Sequence, residues 1–80
     1  MVVNQQPVSS RSTHQLCIEV SEITFWLNEL PKRIAKQEQG LPRAKRPDAY
    51  LARLNEDRQV LKDYKDRMIA VKAEIKKRES

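Results

Sequence analysis

The two side chains of this sequence best able to begin a reaction sit three apart, His14 and Cys17. On a helix that spacing puts an imidazole and a thiol on one face, as a base beside a nucleophile or as half of a zinc site. Neither arrangement has its other parts. Cys17 is the one cysteine and His14 the one histidine of the chain, so no further soft ligand can complete a metal cage. A thiol nucleophile also needs a shielded pocket in which its pKa can be tuned, and 80 residues enclose little volume for one. Glycine-rich phosphate loops, G-x-S-x-G, H-E-x-x-H and paired-cysteine motifs are all missing. The expectation is a non-catalytic chain with no metal and no cofactor, whose chemistry is binding.

Three residues suit a hydrophobic docking patch. Ile18 and Phe25 lie seven apart on one helix face, and Trp26 stands on its shoulder, as does Cys17 on the other side. Aromatic anchors of this kind dominate interface energies. At about 25 cal/mol for each Å² removed from water, such a patch gains several kcal/mol when covered. Three covers are open to it: a second copy of the chain, the N-terminal arm through Val2, Val3 and Val8, or a different protein.

A second candidate surface is electrostatic. The formal net charge is +5, from 16 Lys+Arg against 11 Asp+Glu. It concentrates in residues 31–47, where Lys32, Arg33, Lys36, Arg43, Lys45 and Arg46 face Glu38 alone. A cluster of cations can dock an acidic protein surface, neutralise nucleic-acid phosphates, or keep an exposed loop solvated. No aromatic residue is interleaved with these cations in sequence, so base stacking lacks its usual platform. No helix-turn-helix, zinc-finger or basic-zipper spacing accompanies them.

The elements that must position these residues follow from the apolar periodicity. Ser12-Thr13-His14-Gln15 is a capping box, in which the Ser12 hydroxyl accepts from the Gln15 N–H and the Gln15 side chain reaches back. Leu16, Val20, Ile23, Leu27, Leu30 and Ile34 then recur at steps of four and three, the seam of a helix that packs on another helix. Pro31 lies inside this seam and is expected to kink the helix or restart it. Gly40 and Pro42 stop it. After a basic loop over 40–46, Pro47 and Asp48 suit the first turn of a second helix. Its seam runs Tyr50, Leu54, Asp57, Leu61, Tyr64, Met68, Val71 and Ile75.

Folding the chain back sets Ile34 against Leu54, Leu27 against Leu61, Ile23 against Tyr64, Val20 against Met68 and Leu16 against Val71 in one antiparallel register. Asp57 falls opposite Leu30 and needs a partner there. Arg33, Arg53 or Arg58 can supply it, and the role expected of such a polar seam residue is to fix register or oligomer state. On the rest of the second helix, Asp63 with Arg67 and Glu74 with Arg78 read as i, i+4 pairs, while Lys76, Lys77 and Arg78 complement the negative helix end.

The expected molecule is an all-α antiparallel two-helix hairpin, coiled-coil-like, preceded by a mobile arm over 1–11. Its helices span about 12–39 and 47–78, and it is expected to dimerise into a four-helix bundle. The lone cysteine favours a reducing, cytoplasmic setting. No apolar run reaches the ~20 residues of a membrane span, and the N-terminus lacks an apolar signal core. The function expected is that of a small protein-interaction module, an adaptor, regulator or inhibitor. A nucleic-acid-binding protein working through the basic elbow and a structural self-assembly subunit are the alternatives.

Overall fold

The structure, a computed structural model, describes residues 3–79. Two helices account for most of them: α1, Thr13–Gly40, and α2, Pro47–Glu79. They pack against each other as an antiparallel hairpin. Short 3₁₀ turns at Val8–Ser10 and Leu41–Arg43 precede α1 and begin the connection.

α1 starts where the capping box places it. The Ser12 Oγ accepts from the Gln15 N–H at 3.1 Å, and the Gln15 Oε1 accepts from the Ser12 N–H at 3.0 Å. Two orphan donors of the first turn are thereby satisfied. The helix then runs through Pro31 without restarting. Proline removes the N–H that would bond the Leu27 carbonyl, but Leu30 and Ile34 on either side are buried, and their packing holds the turn together.

Gly40 does not end α1 through a left-handed conformation. Its φ of −82° and ψ of −16° are ordinary helical values, and its lack of a side chain serves a close approach instead. A Cβ at Gly40 would stand 2.6 Å from the Tyr50 hydroxyl oxygen. The chain reverses over the 3₁₀ turn Leu41–Arg43, closed by the Ala44 N–H donating to the Leu41 carbonyl at 3.1 Å. α2 then begins with Pro47 at its first position and Asp48 in its first turn.

The seams of both helices make the core. Leu16, Ile23, Leu30 and Ile34 of α1 are buried, as are Leu54, Tyr64, Met68 and Val71 of α2. Cross-helix polar contacts nest in antiparallel order: Thr13 with Arg78, Glu19 with Arg67, Arg33 with Asp57, and Glu38 with Arg58. The hairpin measures 52 × 19 × 14 Å. Its long dimension is set by the 33 residues of α2 at about 1.5 Å each.

The segment expected to be a mobile arm is instead packed. Val3 is buried in one cluster with Ile23, Leu30, Tyr64 and Met68, with Trp26 against it. Residues 3–11 follow one side of the hairpin, held by two arginines of α2. Arg67 donates to the Gln6 carbonyl at 2.6 Å, and Arg78 donates to the carbonyls of Val8 and Ser9 at 3.2 and 3.4 Å. These arginines are eleven residues apart, about three helical turns, and so share a face. Val2, grouped with Val3 and Val8 in the sequence reading, lies outside the described residues.

Candidate interaction surfaces

The seam of α1 leaves a second stripe on the opposite side, again at steps of four and three: Ile18, Glu22, Phe25, Glu29, Lys32 and Lys36. Ile18 is 47% and Phe25 55% exposed, whereas the apolar residues of the seam are buried or half-buried. Trp26 meets Phe25 edge to face, ring centroids 5.0 Å apart. That contact restricts the Phe25 ring while leaving it in solvent. Trp26 itself is half-buried and packs against the core cluster on the side of the arm. Of the three docking residues read from the sequence, Ile18 and Phe25 therefore share the outer face, and Trp26 supports it from behind.

The six cations of the elbow divide by use. Arg33 Nε lies 3.5 Å from Asp57, and Lys32 lies 3.8 Å from Glu29. Lys36, Arg43, Lys45 and Arg46 make no ion pair or side-chain hydrogen bond among the described residues. Lys45 and Arg46 line an open groove of about 460 Å³ with Arg53, Ala44, Ala49 and Tyr50. Tyr50 thus joins the basic residues in space, four residues after Arg46 and three before Arg53. The groove has an aromatic side chain beside its cations.

Asp57 finds the partner its position requires. Gln37 Nε2 donates to it at 2.8 Å, and Arg33 adds charge from the elbow side. Both partners come from α1, so the carboxylate ties the helices across their seam. Arg58, another candidate for this carboxylate, instead pairs with Glu38 at 3.0 Å.

The most buried charge is one the sequence reading passed over. Glu19 is 3% exposed and takes Arg67 bidentately, through Nε and through Nη2 at 3.1 Å. Arg11 Nε stands 3.2 Å from the same carboxylate. It is close enough for charge attraction but not aligned for a hydrogen bond. Arg67 is therefore not the partner of Asp63, as i, i+4 spacing suggested, and Asp63 accepts from Gln59 at 2.9 Å. A guanidinium fork matches a carboxylate in plane and position, and the inter-helix pair wins over the local one because it is shielded from water.

Beside Glu19 lies a cavity of about 80 Å³ between the arm and the hairpin, bounded by Val3, Asn4, Glu22, Trp26 and Tyr64. Burial raises the Tyr64 phenol above the ordinary tyrosine value, and the neighbouring Glu22 carboxylate pushes it the same way. His14 and Cys17 are both exposed, and Cys17 is a free thiol. Among the described residues no group of three or more His, Cys, Asp or Glu side chains could hold a metal ion. Among them, too, no helix is long and apolar enough to cross a membrane.

Compared with protein-family models, curated proteins and solved structures, the chain matches none of them.

Proposed function

We propose that this chain is a non-catalytic interaction module that docks another helix on the outer stripe of α1, in the first place the same stripe of a second copy. The observation that carries the reading is the exposure of Phe25, held edge-on by Trp26 in a row with the spacing of a helix-packing seam. A ring fixed before binding loses little freedom on docking. The arm does not compete for this site, since it occupies the side of α1 where Trp26 meets the core.

A stable interface needs about 1,000 Å² in total. Ile18 and Phe25 alone fall short of that, and the length of α1 supplies the rest. Two hairpins joined in this way make a four-helix assembly with α1 of each copy at its centre and α2 outermost. The elbow cations Arg43, Lys45 and Arg46, which lie off the docked stripe, then remain available to steer an acidic surface of a further protein partner, raising the rate of encounter more than the final affinity. A reducing, cytoplasmic compartment keeps the exposed Cys17 thiol unpaired.

Light scattering of the purified chain at low and high salt, beside Phe25→Asp, tests the reading. A dimer that Phe25→Asp splits, with helicity retained by circular dichroism, supports it. A monomer at every concentration rules out self-docking. A dimer indifferent to Phe25→Asp places the self-interface elsewhere.

A further inference from the structure

The charges of α2 are sorted by face. Arg67 and Arg78 point to the side of the arm and are consumed there by Glu19, Glu74 and the arm carbonyls. The opposite side carries a row at steps of four and three: Arg58, Lys62, Lys65, Ile69, Lys72 and Lys76. Leu51 and Asn55 continue it toward the elbow at the same steps. From Leu51 to Lys76 the row contains no carboxylate; its next steps at the two ends are Asp48 and Glu79, while Glu56, Asp57, Asp63, Asp66 and Glu74 lie off it on the same helix.

All of its lysines are exposed, and their ammonium groups make no ion pair or hydrogen bond among the described residues. Asp66 flanks the row and pairs with none of them. α1 adds no competing charge along most of this side. The Arg58–Glu38 contact at 3.0 Å fixes which flank of α1 adjoins the row. That flank reads Cys17, Thr24, Asn28 and Ala35 before reaching Glu38.

A helix face kept only for solubility mixes charges of both signs. This one holds no carboxylate over the roughly seven turns from Leu51 to Lys76. We propose that the lysine row of α2, on the side away from the arm, binds the phosphate backbone of a nucleic-acid duplex.

The chemistry of the row selects that partner over other anionic ones. Insertion into an anionic bilayer needs a continuous apolar face beneath the cations. Here Ile69 stands alone between Lys65 and Lys72. A carboxylate-bearing protein surface is best met by the planar fork of arginine. The arginines Arg67 and Arg78 are already spent inside the molecule, and the open row is built of lysines, which act as solvated point charges. From Lys62 to Lys76 the row extends about 21 Å at 1.5 Å rise. Alongside a duplex that carries one charge per about 1.7 Å of axis, this length faces enough phosphates for each lysine to find one. The lysine contacts go to phosphates, which position the protein and carry no sequence information of their own.

The site is separate from the outer stripe of α1 and does not depend on dimerisation. Fluorescence anisotropy of a labelled mixed-sequence DNA duplex of about 25 base pairs, titrated with the full chain over a salt series, measures it. Four lysine contacts give a log–log salt slope of about −3.6. Lys65→Ala with Lys72→Ala is expected to weaken binding at low salt about tenfold or more and to reduce the slope by about 1.8. Two double variants of the same net charge serve as controls, Lys32→Ala with Lys36→Ala on the outer stripe and Lys45→Ala with Arg46→Ala at the elbow. Both are expected to stay within about twofold of wild type. The proposal is overturned by an absence of duplex binding, by an unchanged slope in the Lys65/Lys72 variant, or by an equal loss in either control. Capture of phosphatidylserine vesicles in preference to the duplex also overturns it.

Discussion

Glu19, in the second turn of α1, and Arg67, in the later half of α2, meet as a two-point ion pair from which water is almost excluded. The same guanidinium also holds the Gln6 carbonyl at 2.6 Å. One side chain of α2 therefore secures α1 and the arm together.

Removing one member of such a pair leaves a desolvated charge behind, which costs about 3–5 kcal/mol. Arg67→Ala is expected to lower unfolding free energy by about that amount in urea titration. Replacing both, as Glu19→Leu with Arg67→Met, is expected to restore part of it, because the two apolar groups need no solvent while Arg11 and the Gln6 carbonyl still lose their partners. A double variant as unstable as the single one would contradict this account.

The arm contributes to stability through Val3. Its burial against Ile23, Leu30, Tyr64 and Met68 is worth about 1.5–3 kcal/mol on transfer scales. Val3→Ser is expected to lower the urea midpoint accordingly, and to increase amide exchange at Ser10 and Arg11, whose N–H groups close the 3₁₀ turn. Unchanged exchange would separate the arm from the core energetically.

Asp57 is a seam carboxylate satisfied by Gln37 and Arg33. Such groups serve specificity better than stability. Asp57→Leu is expected to be neutral or stabilising by up to about 2 kcal/mol in denaturant unfolding, and to broaden the distribution of oligomers seen by light scattering. A loss of more than about 1 kcal/mol would make it a stabilising contact instead.

Tyr64 gives a pH signature. Its phenol ionises less readily in the fold than the value of 10.0 it has when unfolded, first because of burial and then because of Glu22. A group with a raised folded pKa contributes its full stability below the unfolded value and loses it as pH rises through the folded one. The thermal midpoint of wild type is therefore expected to fall above pH 10 more steeply than that of Tyr64→Phe. Parallel curves would show that the phenol does not contribute.

Much of this fold is legible from periodicity. The four-and-three steps of two seams set the helices, Ser12 and Gln15 set one start, and Pro47 another. Glu19 and Arg67 were legible by the same means, since each stands one residue before a seam residue, Val20 and Met68, that the sequence sets face to face. They were passed over because Asp63 offers Arg67 a nearer partner in sequence, and only shielding from solvent decides between them. The arm was not legible. Residues 3–11 have no period, and what fixes them is a groove that exists only after the helices have packed. The two outer surfaces differ likewise. Ile18 and Phe25 stand out as apolar residues left over from a seam. The lysines of α2 are hidden within a helix whose charges nearly balance, and only the direction from which Arg67 and Arg78 receive their partners separates one flank from the other.

Arg11, Arg67 and Arg78 lie on the side of the arm and are matched there by Glu19 and by carbonyls, whereas Lys62, Lys65, Lys72 and Lys76 stay unpaired among the described residues. A neighbour that comes within about 8 Å of one flank in physiological salt therefore meets guanidinium groups already satisfied, and on the other flank meets bare ammonium groups. The molecule is a small rod with one side internally neutralised and the other cationic, and its net charge describes neither.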